Sequence, residues 1–290
     1  MKYPFLLSVL IVPMCIANSS FAQQNNIRIA VINETPGRTM EAGLFAAVAP
    51  ETIKKYMPEG SAPASVTTVV LFAGEDTILF DAGLGGELWQ QKLTEHNVKP
   101  ESVKLVLLTH MHSDHIGGLL QGSARRFPNA KVLCAVPEYE HWLPKEGTSA
   151  TSQPGRIKAA YDRDFTTFKF DEVVFENTEV KVKAMDAVGH TPGHTVFLIE
   201  PTAVQKQKLL IIGDLLHAAA LQFPVPEACA RFDMDHEKAA AARKRILDFA
   251  AQEKIPVIGM HLPPPSQGTV KKNDQGGYIW EPAEEVRGKP

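Results

Sequence analysis

Runs of apolar residues divide the chain into short segments. Ile27, Ile29 and Val31 alternate with other residues and predict a first strand over 26–32. Apolar runs at 67–72 and 77–80 predict two more, and Ala73-Gly74-Glu75-Asp76 between them has the composition of a hairpin turn. Further strands are predicted at 103–109, 131–136, 179–185, 195–200 and 209–212, with Val257-Ile258 closing the series. Helices are predicted at 87–96, 137–142 and 236–254. In the last of these Ala239, Ala242, Ile246, Phe249 and Ala250 share one face, while Glu237, Lys244, Arg245 and Asp248 fall elsewhere. Residues 33–63, broken by Pro36-Gly37 and Pro58-Glu59-Gly60, are expected to cross the surface as loop and short helix. Residues 143–177, broken by Pro144, Gly147 and Pro154-Gly155, read as an irregular insertion of the kind that covers a site. Strands mixed with helices in both halves place the fold in the α/β or α+β class.

Composition changes this picture little. At 290 residues, 44% hydrophobic and 22% charged, the chain is globular in make-up, and disordered and fibrous classes are excluded. A formal charge of −3 without a block of like charges offers a nucleic acid nothing to bind. The first 22 residues read as a cleaved export signal: Lys2, an apolar segment from Phe5 to Ala17, then Ser20-Phe21-Ala22. Pro13 and Asn18-Ser19-Ser20 stop the apolar run short of the roughly 20 residues a membrane span needs. Val12-Pro13-Met14 also lacks the small residues expected before a lipidated Cys15. The expected mature chain, residues 23–290, is one domain, periplasmic or secreted and free of the membrane. Cys134 reads as a core residue, and chain position alone does not decide whether it pairs with Cys229.

The candidate chemistry is concentrated in His110-Met111-His112-Ser113-Asp114-His115-Ile116-Gly117-Gly118. Three imidazoles and a carboxylate in six positions are costly to bury unless something binds them, and a metal does so. At the end of a strand, residues two apart face one side, so His110 and His112 can point at one ion. The chain then turns, and Asp114 and His115 would point away, toward a second ion.

This His-x-His-x-Asp-His pattern resembles the signature of the metallo-β-lactamase superfamily, and three further motifs follow in order. His190 lies in Gly189-His190-Thr191-Pro192-Gly193-His194-Thr195, Asp214 in Ile211-Ile212-Gly213-Asp214-Leu215-Leu216-His217, and His261 in Ile258-Gly259-Met260-His261. The resemblance implies an αββα sandwich of two mixed sheets with outer helices. It implies two metal positions, one held by His110, His112 and His190 and the other by Asp114, His115 and His261, with Asp214 bridging. Imidazole and carboxylate ligands without thiolate suit two zinc ions, and also manganese, iron or cobalt. Such a pair, about 3.5–4 Å apart, shares a water and makes it a hydroxide nucleophile near neutral pH. Asp114, Asp214 and His217 are the catalytic candidates: Asp214 could orient the hydroxide or move its proton, and His217 either reaches the pocket to bond substrate or is a local, partly buried cap. Asp81, in Asp81-Ala82-Gly83, either supports the ligands from behind or caps the helix that follows. Thr191-Pro192-Gly193 forces a turn that keeps His194 from acting as a ligand beside His190, which leaves it a structural role.

The stretch 213–223 and the motifs around His110 and His190 resemble the methyl parathion hydrolase branch, implying a small apolar substrate and a homodimer. Leu88, Trp89, Trp142, Leu221 and Phe223 are the candidates to line the pocket. The expected reaction is hydrolysis of a lactone, carboxylic ester or phosphotriester. His217 stands where the phosphotriesterase is apolar, which weakens the phosphotriester reading. A β-lactamase is the alternative, although such enzymes carry cysteine or serine where Asp214 stands and many carry a lysine nearby, whereas 215–223 contain none. No basic clamp for a glutathione thioester is apparent. An inactive metal-binding domain is disfavoured because all seven ligands are present.

Overall fold

The computed structural model describes residues 26–143, 151–203 and 207–284, so the expected export signal lies outside the described residues. Two β-sheets stack face to face. The first runs, edge to edge, Ile27–Asn33, Thr67–Ala73, Asp76–Phe80, Val103–Leu107, Lys131–Ala135 and Phe165–Phe168. Its first three strands pair antiparallel and the rest parallel. The second runs Val173–Glu176, Val180–Asp186, Thr195–Pro201, Leu209–Ile211, Val257–Ile258, Gln267–Lys272 and Tyr278–Pro282. All its pairings are antiparallel except Leu209–Ile211 with Val257–Ile258. With helices outside both sheets, this is the αββα sandwich.

The period-two geometry of a strand explains the layers. Val69, Leu71, Ile78, Phe80, Leu105 and Leu107 face the second sheet and meet Val182, Phe197, Ile199 and Ile211. The intervening Val70, Leu79 and Val106 face outward onto Trp89 and Leu93 of helix Glu87–Glu95. Both faces are dry, which is why these strands read as unbroken apolar runs. On the far side Val196, Leu198 and Leu210 pack on Ala242, Ile246, Leu247 and Ala250 of helix His236–Glu253. That helix starts where the Asp235 carboxylate accepts the Lys238 N–H at 3.0 Å, and it ends at Lys254 in the left-handed region. Leu247 is fully buried on its inner face, whereas Phe249 is only partly buried.

Residues 33–63 depart from expectation. Thr39–Glu41 pairs with Ser61–Pro63, and Met40, Phe45 and Met57 are buried against Ala218, Leu221 and Ala228. Their spacing follows neither helical nor strand period, because they pack on a distant segment of loop and short helix, Ala219–Gln222, rather than on a sheet. Residues 143–177 are also more regular than expected, although 144–150 lie outside the described residues. Helix Gln153–Tyr161 and strands Phe165–Phe168 and Val173–Glu176 carry the chain from the edge of one sheet to the edge of the other. The closing hairpin, Gln267–Lys272 with Tyr278–Pro282, is too polar to register as strand. Cys134 and Cys229 are both buried and unbridged.

The glycines after His115 let the ligand loop pack tightly. A Cβ on Gly118 would lie 2.2 Å from the Ala82 oxygen and 2.6 Å from the Trp89 ring. Gly118→Ala is therefore expected to cost about 1–3 kcal/mol in urea unfolding; an unchanged midpoint would show that the contact relaxes without cost.

Candidate metal centre

Each of the seven side chains stands on a loop or short helix just beyond the C-terminal end of a strand. Val103–Leu107 leads to His110 and His112, and the short helix Ser113–Ile116 begins there, turning Asp114 and His115 onto another heading. Val180–Asp186 precedes His190, Leu209–Ile211 precedes Asp214, and Val257–Ile258 precedes His261. The last two strands are parallel, with Ile211 opposite Ile258, so both open onto the same edge of the sandwich. Main-chain bonds lock the loops together: Thr195 N–H donates to Thr109 O at 2.9 Å, and Met260 N–H to Gly213 O at 3.2 Å. Gly213 has φ of 53°, and a Cβ there would come within 2.7 Å of His194 Nε2. Only glycine fits that place ahead of Asp214.

The structure brings all seven together. His110 Nε2 lies 2.9 Å from His112 Nδ1, and His190 Nε2 lies 3.2 and 3.0 Å from those two atoms. Asp214 Oδ2 is 3.4 Å from His190 Nε2, 3.7 Å from His110 Nε2 and 3.0 Å from His261 Nε2, while its Oδ1 is 3.2 Å from His115 Nε2. Asp114 closes the second group, with Oδ2 3.5 Å from His261 Nε2 and Oδ1 3.8 Å from His115 Nε2. His110, His112, His190 and Asp214 form one potential ligand set, and Asp114, His115 and His261 another.

The second nitrogen of each ring decides what the first can do. His115 Nδ1 lies 2.7 Å from Asp81 Oδ2, His190 Nδ1 2.9 Å from Asp233 Oδ1, and His261 Nδ1 2.7 Å from the Ser65 carbonyl. A carbonyl or carboxylate can only accept, so each Nδ1 carries a proton, which leaves each Nε2 facing inward as the atom that coordinates once it is unprotonated. Asp81 also accepts from Thr109 N–H and Oγ1–H at 2.8 Å. It therefore supports the ligands rather than capping the next helix, whose N-cap is Gly86 with no side-chain bond.

A cation fits this arrangement. Buried His115 Nε2 and Asp214 Oδ1 have no hydrogen-bond partner although they lie 3.2 Å apart, and an orphaned buried polar atom costs about 1–3 kcal/mol. A tetrahedral ion with metal–nitrogen bonds of about 2.0–2.1 Å places its ligand atoms roughly 3.4 Å apart, close to the spacing of the three histidines.

Electrostatics separates the two groups. Burial drives the His110 pKa well below that of an ordinary imidazole and His190 down to about 3, so both are neutral and ready to coordinate. Burial also opposes charge on His115, but Asp214 and Asp81 outweigh it and hold the pKa well above the ordinary value. His261 is raised the same way, against burial, by Asp214. Asp214 is itself held far below the usual carboxylate range: burial would raise it, but His115, His261 and His110 prevail.

His194 is no ligand: its Nε2 accepts the Asp214 N–H at 2.9 Å, its Nδ1 reaches the Ala187 carbonyl at 3.0 Å, and burial lowers its pKa to about 4. His217 is buried with neither ring nitrogen hydrogen-bonded, stacked on His261 at 5.3 Å and 3.3 Å from Asp214 Oδ2. It faces the centre rather than capping locally, the local bonds being made by its main chain to Gln222.

The cavity over the centre, about 340 Å³, is bordered by Arg38, Met40, Ser113 and Phe232 together with His217 and five of the seven candidate ligands, His112, Asp114, His190, Asp214 and His261. None of Leu88, Trp89, Trp142, Leu221 or Phe223 is among its walls, and neither is any described residue of 143–177. Trp89 is core, donating to Thr68 Oγ1, and Trp142 packs edge-on against His112 at 5.6 Å. The sequence reading also passed over Asp233 behind His190, and Arg243, which holds Asp233 at 3.3 Å. One signal was there: Arg243 shares the apolar face of its helix with Ala239 and Ile246, where a charge needs a buried partner.

A family model described as the metallo-beta-lactamase superfamily matches residues 62–253. The chain is similar to the hydroxyacylglutathione hydrolase of Prochlorococcus marinus (strain NATL1A), 29% identical over 142 residues, covering 49% of this chain and 46% of that one. It thus spans about half the length of that curated relative. Among solved structures it is similar to hydrolase AbOPH of the beta lactamase superfamily, with a TM-score of 0.75, 26% identity, and coverage of 91% and 96% of the two chains. It shares its fold with AidC, a dizinc quorum-quenching lactonase, with a TM-score of 0.76, 22% identity, and coverage of 90% and 95%.

The raised pKa values of His115 and His261 and the lowered ones of His110 and His190 predict unequal proton release. Near neutral pH, filling the Asp114–His115–His261 position should expel protons, and filling the three-histidine position should expel few. Binding at the former should accordingly weaken more steeply as pH falls. Calorimetric titration with divalent metal in buffers of differing ionisation enthalpy measures this; equal release in both steps would contradict it.

Proposed function

Because the chain belongs to the metallo-beta-lactamase superfamily, we propose that it is a hydrolase requiring two divalent metal ions, acting on a lactone or other carboxylic ester of a small, largely apolar substrate. The observation that carries this reading is Asp214, whose carboxylate lies within 3.7 Å of ligand nitrogens from both groups. His110, His112 and His190 would hold one ion, Asp114, His115 and His261 the other, and Asp214 would reach both. Zinc is proposed on the donor set, which manganese, iron or cobalt could also occupy. When bound, the pair supplies Lewis-acid polarisation and a water acidified toward neutrality.

The chain's own side chains do the rest. Ser113 at the rim has no histidine bonded to its hydroxyl among the described residues, so no side-chain nucleophile is assigned. Asp214 orients the attacking water through its carboxylate. The His217 ring, with both nitrogens unclaimed, offers an N–H to a substrate oxygen. Met40 and Phe232 give the cavity its apolar walls, and about 340 Å³ admits a small substrate. Phosphotriesters rank second because His217 puts a polar ring where that chemistry has an apolar wall.

One observation favours a second reading. Arg38 borders the cavity and supplies a basic group that the sequence did not reveal, so an ester or thioester bearing a carboxylate would find a partner there. We also propose that the chain is exported to the periplasm or secreted after cleavage at residue 22, and acts on small molecules as a homodimer. N-terminal sequencing of the exported protein and its sedimentation mass test these two points.

Zinc-loaded protein assayed against acyl-homoserine and aromatic lactones, aryl phosphotriesters and a chromogenic cephalosporin should turn over the lactones fastest; activity confined to the cephalosporin would reject the reading. His217→Ala should lower turnover roughly 10- to 100-fold, as loss of one well-placed donor does, with metal content unchanged. Arg38→Met should raise KM only for carboxylate-bearing substrates, and equal effects on neutral esters would reject the second reading.

A further inference from the structure

Glu138 is a buried carboxylate outside the ligand set, and all of its bonds go to the surroundings of one metal position. Its Oε1 accepts the Met111 N–H at 2.8 Å and the Trp142 Nε1–H at 2.6 Å. Its Oε2 accepts the Thr191 Oγ1–H at 2.7 Å and the Gly193 N–H at 2.9 Å. Met111 lies between His110 and His112, and Thr191 and Gly193 follow His190, so one side chain joins the two loops that carry the three histidines. Among the described residues, none of the hydrogen bonds of Glu138 reaches Asp114, His115 or His261.

The histidines explain why such a strut is needed. His110, His115, His190 and His261 each have a second ring nitrogen anchored, to Thr109, Asp81, Asp233 and the Ser65 carbonyl respectively. His112 alone has no such anchor among the described residues. Its ring is instead braced by the Trp142 indole, 5.6 Å away at 81°, and that indole is held by Glu138. Glu138 thus supplies through Trp142 and Met111 what the other rings receive directly.

We propose that Glu138 is a positioning residue that sets the metal affinity of the His110–His112–His190 position, independently of the Asp114–His115–His261 position. This rests on the two-metal reading above. Four donors converge on two oxygens, so a glutamine, with one accepting and one donating end, must give up either the Met111–Trp142 pair or the Thr191–Gly193 pair. Either loss frees a loop that carries ligands, and loss of an outer partner typically weakens metal binding about 10- to 100-fold.

The test is stepwise titration of metal-free full-length protein with Co2+, read in its visible ligand-field bands, with chelator competition for affinity. His112→Ala and His261→Ala assign the bands to the two positions. In Glu138→Gln the three-histidine position should bind about 10- to 100-fold more weakly and the other within a few-fold of wild type. Trp142→Phe, which keeps the ring against His112 but drops the N–H, and Thr191→Val, which drops the hydroxyl, should each shift the same position several-fold. Should Glu138→Gln not fold, these two variants decide alone. Unchanged affinity at the three-histidine position, or equal loss at both, overturns the proposal while two metals still bind the wild type. Wild-type protein binding fewer than two ions would overturn the two-metal reading itself, and this proposal with it.

Discussion

A carboxylate removed from water must be compensated by charge or by hydrogen bonds, and Asp214 is compensated almost wholly by imidazoles. His110, His115, His190, His217 and His261 all approach it within 3.7 Å. Its main-chain N–H is fixed by His194 behind it. Much of the surrounding structure follows from keeping this group in place: a glycine before it, a histidine behind it, and two parallel strands opening beside it. Its charge raises the pKa of His115 and His261 above that of an ordinary imidazole, so a cation binding beside them competes with protons.

The site belongs to neither sheet alone. His110, His112, Asp114 and His115 leave the first sheet; His190, Asp214 and His261 leave the second. Their spacing is therefore set by the apolar layer between the sheets, where Phe80 packs on Phe197 with ring centroids 5.3 Å apart. A metal pair here would join the two halves, so its binding energy would add to the stability of the fold.

Behind the ligands lies a second tier of buried groups, each with its own task. Asp81 and Ser65 hold the rings of one metal position; Asp233 and Glu138 hold the other, Asp233 being tied to helix His236–Glu253 through Arg243. Selectivity is built from different material. Arg38, Met40 and Phe232 come from segments that contribute nothing to the ligand set, so the cavity can vary while the metal chemistry stays constant.

The seven side chains that converge here were legible in the sequence as candidate ligands because they are short-range patterns: a strand run followed by His-x-His-x-Asp-His needs only local geometry, and the remaining motifs likewise follow strands whose apolar runs are plain. The strands themselves were legible for the same reason, since strands dry on both faces show as continuous apolar runs, whereas their stacking into an αββα sandwich was implied only by the family resemblance. What tertiary structure alone decided was everything that depends on which distant segments meet. Residues 33–63 carry no regular period because they pack on a distant segment of loop and short helix rather than on a sheet, and Glu138 and Asp233 look like ordinary surface carboxylates until the fold buries them against the loops of the site. A linear pattern records which face of an element is apolar. It does not record which other element covers that face, and the walls of this cavity and the struts behind its ligands are contacts of that second kind.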